Sequence, residues 1–313
     1  MNVVENAPHA SRVVVTAETA LVARPELSRA HAPSAPIVNA LTIDVEDYFQ
    51  VSAFASQVSR DNWDGIECRV EGNIERILAL LADAGASATF FTLGWIAERY
   101  PELLRRIANC GHELASHGFD HQRASEQSPD AFSADIRLAK AIIEDVTGRA
   151  VNGYRAPSFS IGPANAWAFD EIAAAGYRYS SSVYPIHHDH YGDPHAPRFA
   201  YEVRPDLLEI PVATIRIGNR NWPAGGGGYF RLLPYAFSRW SIARINRHDA
   251  KPAMFYFHPW ELDAEQPRIE GAGRKARFRH YVNLRRMAPR LACLLRDFSW
   301  SRADRVYLGG AAA

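Results

Sequence analysis

The chain has 313 residues, 47% of them hydrophobic, which is enough for one large domain or two small ones around a sizeable core. Thirty-five basic residues balance thirty-five acidic ones, so no net positive charge drives non-specific nucleic-acid binding. Three scattered cysteines, Cys68, Cys110 and Cys293, exclude a disulfide framework and a thiolate zinc site, and Cys110 and Cys293, among apolar neighbours, read as small core residues.

Residues 1–36 are rich in Ala, Pro, Ser and Val without a sustained period and read as a flexible leader. They lack the charged start and unbroken apolar stretch of a signal peptide, and no later run approaches the roughly 18 apolar residues of a membrane span. A cytoplasmic location is the expectation. From Ile37 the texture alternates. Ile37–Val45 reads as a buried strand ending in acids, Asn73–Ala84 as a helix stopped by Gly85, and Ala88–Leu93 as a strand. A helix containing Pro101 follows, then a short strand at His112–Ser116. The next helix has Ser128 as N-cap and Pro129 at its first position. Val151–Arg155 is a strand, Pro163–Ala175 a helix, and Tyr177–Ser180, Leu208–Thr214 and Ala253–His258 are further strands. Helical patterns at Leu233–Asn246 and Tyr281–Asp297 flank the last of these. Arg274–Arg290 is basic and reads as a solvated helix face. Repeated strand–helix units without a dinucleotide glycine fingerprint predict an α/β fold, a distorted (β/α) barrel of 7–8 strands with a C-terminal helical extension, as one domain over 37–305.

The polar clusters sit at predicted strand ends, which in a barrel converge on one face. Asp44, Glu46 and Asp47 end the first strand, His117 and His121 follow the strand at 112–116, and Arg155 and His258 end two others. Histidines four apart on a helical turn face one side and can share a divalent cation. With 12 histidines in the chain, chance gives roughly 0.4–0.5 such pairs, so the spacing alone decides little. The acids change the balance. Three carboxylates within four residues repel one another unless a cation or an arginine offsets them. Two histidines and one carboxylate match the ligand count of a hydrolytic zinc site, and a second carboxylate held off the metal can act as base.

These residues resemble the polysaccharide deacetylases of carbohydrate esterase family four, with the NodB homology domain. TIDVED, SHGFDH, YRAPS and FYFH look like four of that family's motifs, in its order, between about residues 39 and 260. DVEDYF, TFFTLGWIAERYPEL, GHELASHG and GGGGYFRLLP are similar to the branch encoded beside exosortase and exopolysaccharide loci, whose C-terminal extension would reach to about residue 300. The resemblance implies a metal-dependent hydrolase removing N-acetyl groups from amino sugars of a polysaccharide or oligosaccharide, with Zn2+ the first choice of cation. It implies Asp44 as catalytic base, His117 and His121 as metal ligands, Arg155 as partner of Asp44 and His258 as general acid. For the third ligand, strand alternation favours Glu46, with Asp47 as the alternate. Relatives often orient the acid histidine with an aspartate near the fourth motif. Here Tyr179 is followed by Ser180, Ser181 and Ser182, which leaves Asp189 and Asp263 as replacements. Ser158 stands where many relatives have tyrosine, and the oxyanion contact assigned there comes from a backbone N–H.

Trp222, Tyr229 and Trp260 are candidates for stacking on sugar faces in the groove, against a simpler role in the core. Gly225–Gly228 lacks the Gly-Lys-Ser/Thr of a phosphate loop and reads as a mobile rim loop. His187-His188-Asp189-His190 reads as a solvated loop rather than a second metal site. Two other readings remain: an allantoinase-like cyclic amide hydrolase, and a non-catalytic sugar-binding module on the same fold. The first would prefer allantoin to acetylated oligosaccharides, and the second would bind sugar and release no acetate.

Overall fold

The structure is a computed structural model and describes residues 1, 36–188 and 192–309. All but the ends of the expected leader, and Asp189 and His190 of the histidine cluster, lie outside the described residues.

Strands β1 (Val38–Val45), β2 (Thr89–Thr92), β3 (Glu113–Ser116), β4 (Gly153–Tyr154), β5 (Tyr179–Ser180), β6 (Tyr201–Arg204), β7 (Leu207–Glu209) and β10 (Met254–Phe257) form one curled sheet in the order β10-β1-β2-β3-β4-β5-β7-β6. All neighbours run parallel except β6 on β7. A further strand, β11 (Ser299–Ser301), pairs with the start of β1. The result is a half-barrel, as its alternating pattern predicts, with β10 and β6 at its edges among the described residues. The run expected as one strand over Leu208–Thr214 instead splits. Its end becomes β8 (Thr214–Ile217), which pairs with β9 (Arg220–Pro223) in a separate hairpin.

Two cores result from strand alternation. On β1, Leu41, Ile43 and Val45 face the helices, while Ala40 packs inside the curl with Phe91, Ala115, Tyr179, Ile210 and Met254. Thr42 and Asp44 share that inner side by the same period, so a buried carboxylate is set two residues beyond a buried hydroxyl. The outer layer includes α1 (Val70–Asp83), whose buried Val70, Ile74, Ile77, Leu78 and Leu81 follow a helical period. It continues through α2 (Gly94–Arg99), α3 (Pro101–Asn109) and α4 (Pro129–Thr147). The Ser128 hydroxyl accepts the Ala131 N–H at 3.3 Å, as expected of the N-cap. The helix expected at Pro163–Ala175 is shorter, α5 (Ala168–Ala174). The C-terminal part carries α6 (Gly227–Leu232), α7 (Tyr235–Arg244), α8 (Arg274–Tyr281), α9 (Met287–Asp297) and α10 (Ala303–Tyr307). Arg274 and Arg277 on α8 are solvent-exposed, whereas Arg290 is spent on the carbonyls of Phe230, Arg231 and Leu233. Cys110 is exposed just past α3, contrary to its expected place in the core, and Cys293 is only half-buried. No helix among the described residues is long and apolar enough to cross a membrane.

The end of the sheet opposite the polar clusters is closed by α10. The buried Glu113 carboxylate, at the start of β3, accepts the Tyr179 hydroxyl at 2.9 Å, the Thr89 hydroxyl at 2.5 Å and the Asp304 N–H at 3.2 Å. Burial, reinforced by Asp304, raises its pKa to about 8. The folded state therefore holds this proton more tightly than the unfolded chain does. The group's stabilisation is complete below the unfolded value of 4.5 and is lost as pH rises through about 8. Glu113→Gln should flatten that loss, which denaturant unfolding of both proteins at pH 5 and pH 9 will measure; an equal fall in both would contradict the assignment.

Candidate active site

Parallel strands start level at one end and finish level at the other, so residues just past β10, β1, β3 and β4 meet on one rim. Asp44 is 2% exposed and Arg155 is fully buried. The Arg155 Nη1 donates to Asp44 Oδ1 at 2.5 Å and to the Thr42 hydroxyl at 2.9 Å. Its Nε and Nη2 donate to the Ser181 carbonyl and hydroxyl at 3.2 and 2.9 Å. The guanidinium carbon lies 4.0 Å from the centre of the Phe91 ring. A buried ion pair persists only where its remaining donors are satisfied, and Ser181, from the serine run noted in the sequence, satisfies two of them.

Glu46, His117 and His121 bring one ligand atom each to within 4.8 Å of one another, and all three are buried. The histidines sit on a hydrogen-bonded loop after β3, not on the expected helical turn. Trp95 N–H donates to the Phe119 carbonyl at 2.9 Å, and Arg60 Nε to that of Asp120 at 2.8 Å. His121 itself adopts φ +62°. Each ring is oriented through Nδ1: His117 by the Arg155 carbonyl at 2.8 Å, His121 by the Ser52 hydroxyl at 3.3 Å. That leaves Nε2 of both for the cluster. Glu46 Oε2 lies 2.7 Å from His121 Nε2, yet it is buried without an aligned hydrogen-bond donor among the described residues. Two electron-pair donors pressed together in this way fit a cation between them. Burial drives the His117 ring down to about 4, so it is neutral and can ligate near neutral pH. Burial works to raise the Glu46 carboxyl, but His121, His258 and His117 outweigh it and hold it well below the usual carboxylate range.

Asp47, the alternate ligand, stands outside this cluster. Its carboxylate accepts the Tyr48 N–H at 2.7 Å and the Arg69 N–H at the start of α1. The chain turns after Val45, with Glu46 N–H bonded to the Asp44 carbonyl at 3.0 Å. Glu46 therefore reaches the rim through a turn and not through continued strand alternation.

His258 Nε2 lies 3.4 Å from Glu46 Oε1 and 3.9 Å from Asp44 Oδ2. Its Nδ1 lies 2.8 Å from Glu261 Oε1, and Arg231 Nε donates to Glu261 Oε2 at 2.6 Å. Burial alone would lower the imidazole pKa, but Glu46, Glu261 and Asp44 raise it to about 9. Asp263, one of the two carboxylates expected beside His258, is engaged elsewhere. It pairs with Arg69 at 2.5 Å, and Asp189 lies outside the described residues. Glu261 and Arg231 were missed by the sequence reading; the only signal was an acid three residues after the histidine in His-Pro-Trp-Glu.

The aromatic candidates separate. Trp260 is 4% exposed, stacks on His258 and on His280 at 5.1 and 4.0 Å, and donates its indole N–H to Glu46 Oε1 at 3.3 Å. It is a support beneath the site and offers little open face to a sugar. Tyr229 packs half-buried against the cluster of Phe159, Tyr184 and Tyr256. Trp222 is 47% exposed on β9. The glycine run is no rim loop, since Gly225, Gly226 and Gly227 are buried.

Residues 61–180 match the polysaccharide deacetylase family model, and residues 181–308 match a domain of unknown function, DUF3473. Over residues 61–180 the chain is thus similar to the polysaccharide deacetylases. It is 30% identical to a peptidoglycan deacetylase of Helicobacter pylori over 128 residues, which are 38% of this chain and 39% of that protein. It is 32% identical to a chitooligosaccharide deacetylase of Azorhizobium caulinodans over 82 residues, 26% of this chain and 39% of that one. The chain therefore spans about two fifths of the length of these relatives. In fold it is similar to a Mycobacterium smegmatis protein assigned to the polysaccharide deacetylases, with a TM-score of 0.50 and 20% identity, over 85% of this chain and 94% of that one.

The two acids can be told apart by substitution. Glu46→Gln should weaken divalent-cation binding by more than the roughly 10–100-fold typical of losing a ligand's supporting partner. Asp47→Ala should leave that affinity unchanged but lower the unfolding free energy by about 1–3 kcal/mol, by stranding buried N–H groups. Cation titration and denaturant unfolding of both variants decide it; the opposite pattern would make Asp47 the ligand.

Proposed function

We propose that this chain is a divalent-metal-dependent N-deacetylase of acetamido-sugar polymers, acting in exopolysaccharide biosynthesis. One observation carries the reading: a two-histidine, one-carboxylate cluster, a second carboxylate held by a buried arginine and an imidazole with a raised pKa all face one gap. The relatives' activities on peptidoglycan and chitooligosaccharides support an N-acetylated glycan as substrate. The likeness of DVEDYF and GGGGYFRLLP to the exopolysaccharide branch supports the finer assignment.

Glu46, His117 and His121 would hold the cation, and zinc suits two imidazoles and a carboxylate, as cobalt, nickel or manganese also can. When bound, such an ion polarises the acetamide carbonyl and makes a water more acidic. Asp44 is the base. Arg155 fixes its Oδ1, and Oδ2, the oxygen nearer His258, takes the proton from the attacking water. His258 is the acid. Its Nε2, across the ring from the Nδ1 that contacts Glu261, donates a proton to the departing amine nitrogen.

Acetate release from a panel of acetamido-sugar polymers, with and without chelator and with metal restored, tests the reading. Asp44→Asn should lower turnover by about 10²–10⁴-fold, the usual worth of a positioned base, while cation content stays as in the wild type and the unfolding temperature falls, because Arg155 loses its buried charge partner. Sugar binding without acetate release under any cation would leave only a binding module, and release from allantoin alone would favour the cyclic amide hydrolase.

A further inference from the structure

We infer that Glu261, seated by Gly227 and Arg231, is the positioning residue that aims His258, so that the segment matching a domain of unknown function completes the site. The inference rests on the deacetylase reading, because it concerns the proton delivered to the leaving nitrogen.

One carboxylate oxygen holds both the main chain and the ring of the histidine. Glu261 Oε1 accepts the His258 backbone N–H at 3.1 Å and lies 2.8 Å from Nδ1. The other oxygen, Oε2, accepts from Arg231 Nε at 2.6 Å. Arg231 is 1% exposed, and its remaining nitrogens donate to the carbonyls of His280, Val282 and Arg279 at 2.9, 2.6 and 3.2 Å. The guanidinium is thus tied to the end of α8 on one side and to the carboxylate on the other, a buried network with its charges paired. Trp260 limits the tilt of the imidazole by stacking on it at an interplanar angle of 17°.

The glycine run explains how the carboxylate fits. A Cβ on Gly227 would stand 2.1 and 2.3 Å from the two Glu261 oxygens. A Cβ on Gly226, whose φ is +118°, would meet the Tyr256 ring at 2.7 Å, and one on Gly225 the Met254 carbonyl at 2.5 Å. These glycines let the start of α6 press against β10 and the turn after it, which brings Arg231 within reach of Glu261. A run that the sequence suggests as a mobile rim loop here makes room for a side chain.

The leaving group separates aiming from mere support. When the acetamide C–N bond breaks, its electron pair goes to nitrogen, which needs the proton from His258 Nε2 to depart as an amine. When the C–O bond of 4-nitrophenyl acetate breaks, the pair leaves on a stable phenolate that needs no proton. In the metal-loaded full chain, Glu261→Gln should lower kcat on an N-acetylglucosamine oligomer by about 10²-fold or more, with KM unchanged, and the ratio of amide to ester rates should fall by a similar factor. Gly227→Ala should reproduce this by displacing the carboxylate. Equal losses on both substrates, or no loss on either, would overturn the inference. A second readout does not depend on turnover. In the metal-free protein, ¹⁵N NMR should show His258 Nδ1 bearing a hydrogen-bonded proton in the wild type and losing that bond in Glu261→Gln; a wild-type ring without it overturns the inference. Wild-type protein that hydrolyses neither substrate would sink the deacetylase reading, while the NMR result would still decide the role of Glu261.

Discussion

Arg155 governs the site through two bonds of different kinds. Its side chain, sealed inside the curl of the sheet, clamps Asp44 and draws in Thr42 and Ser181, while its backbone carbonyl fixes the ring of His117. One residue at the end of β4 therefore registers an acid on β1 against a histidine after β3. An unpaired guanidinium in this position would be strongly unfavourable. The serines of the 180–182 run serve that need: Ser181 accepts from Arg155, and Ser182 accepts the Ala156 N–H at 2.9 Å. The run that takes the place of an expected aspartate thus positions the arginine rather than the histidine.

Much of this was legible because strand periodicity is a local property. The buried run before Asp44, the strand before His117 and the aromatic strand before His258 each announce an end, and parallel strands bring ends together. Two kinds of feature were hidden. Asp47 and Glu46 are adjacent in sequence, and only the turn after Val45, which alternation cannot reveal, sends one to the cluster and the other to the N–H groups of Tyr48 and Arg69. Glu261 and Arg231 are 30 residues apart, in segments whose patterns carry no sign that they meet. The glycines misled for a related reason. Without side chains they suggest mobility, whereas here they mark where backbone must touch backbone or a carboxylate. Trp260 likewise reads as an exposed platform until its stacking partner, His280 on α8, is known.

The family matches divide the chain at residue 180, but the chemistry does not divide there. Asp44 and Glu46 precede both matched segments, His117, His121 and Arg155 lie in the first, and Ser181, Arg231, His258 and Glu261 lie in the second. The second segment also supplies β10 and β11, both of which pair with β1. It is woven into the sheet and shares the site.

That weaving sets an order on folding. β1 is the first described strand, yet its pairing with β10 joins Ala40 to Met254 and its pairing with β11 joins Val38 to Ser299. Contacts of such long sequence separation close late, after loop entropy has been overcome. On a ribosome, Asp44 and Glu46 would emerge early and wait, as acids on a strand with an unmatched edge, until nearly the whole chain had followed. A nascent fragment therefore holds Asp44 without His258, and the two come together only with the last strands.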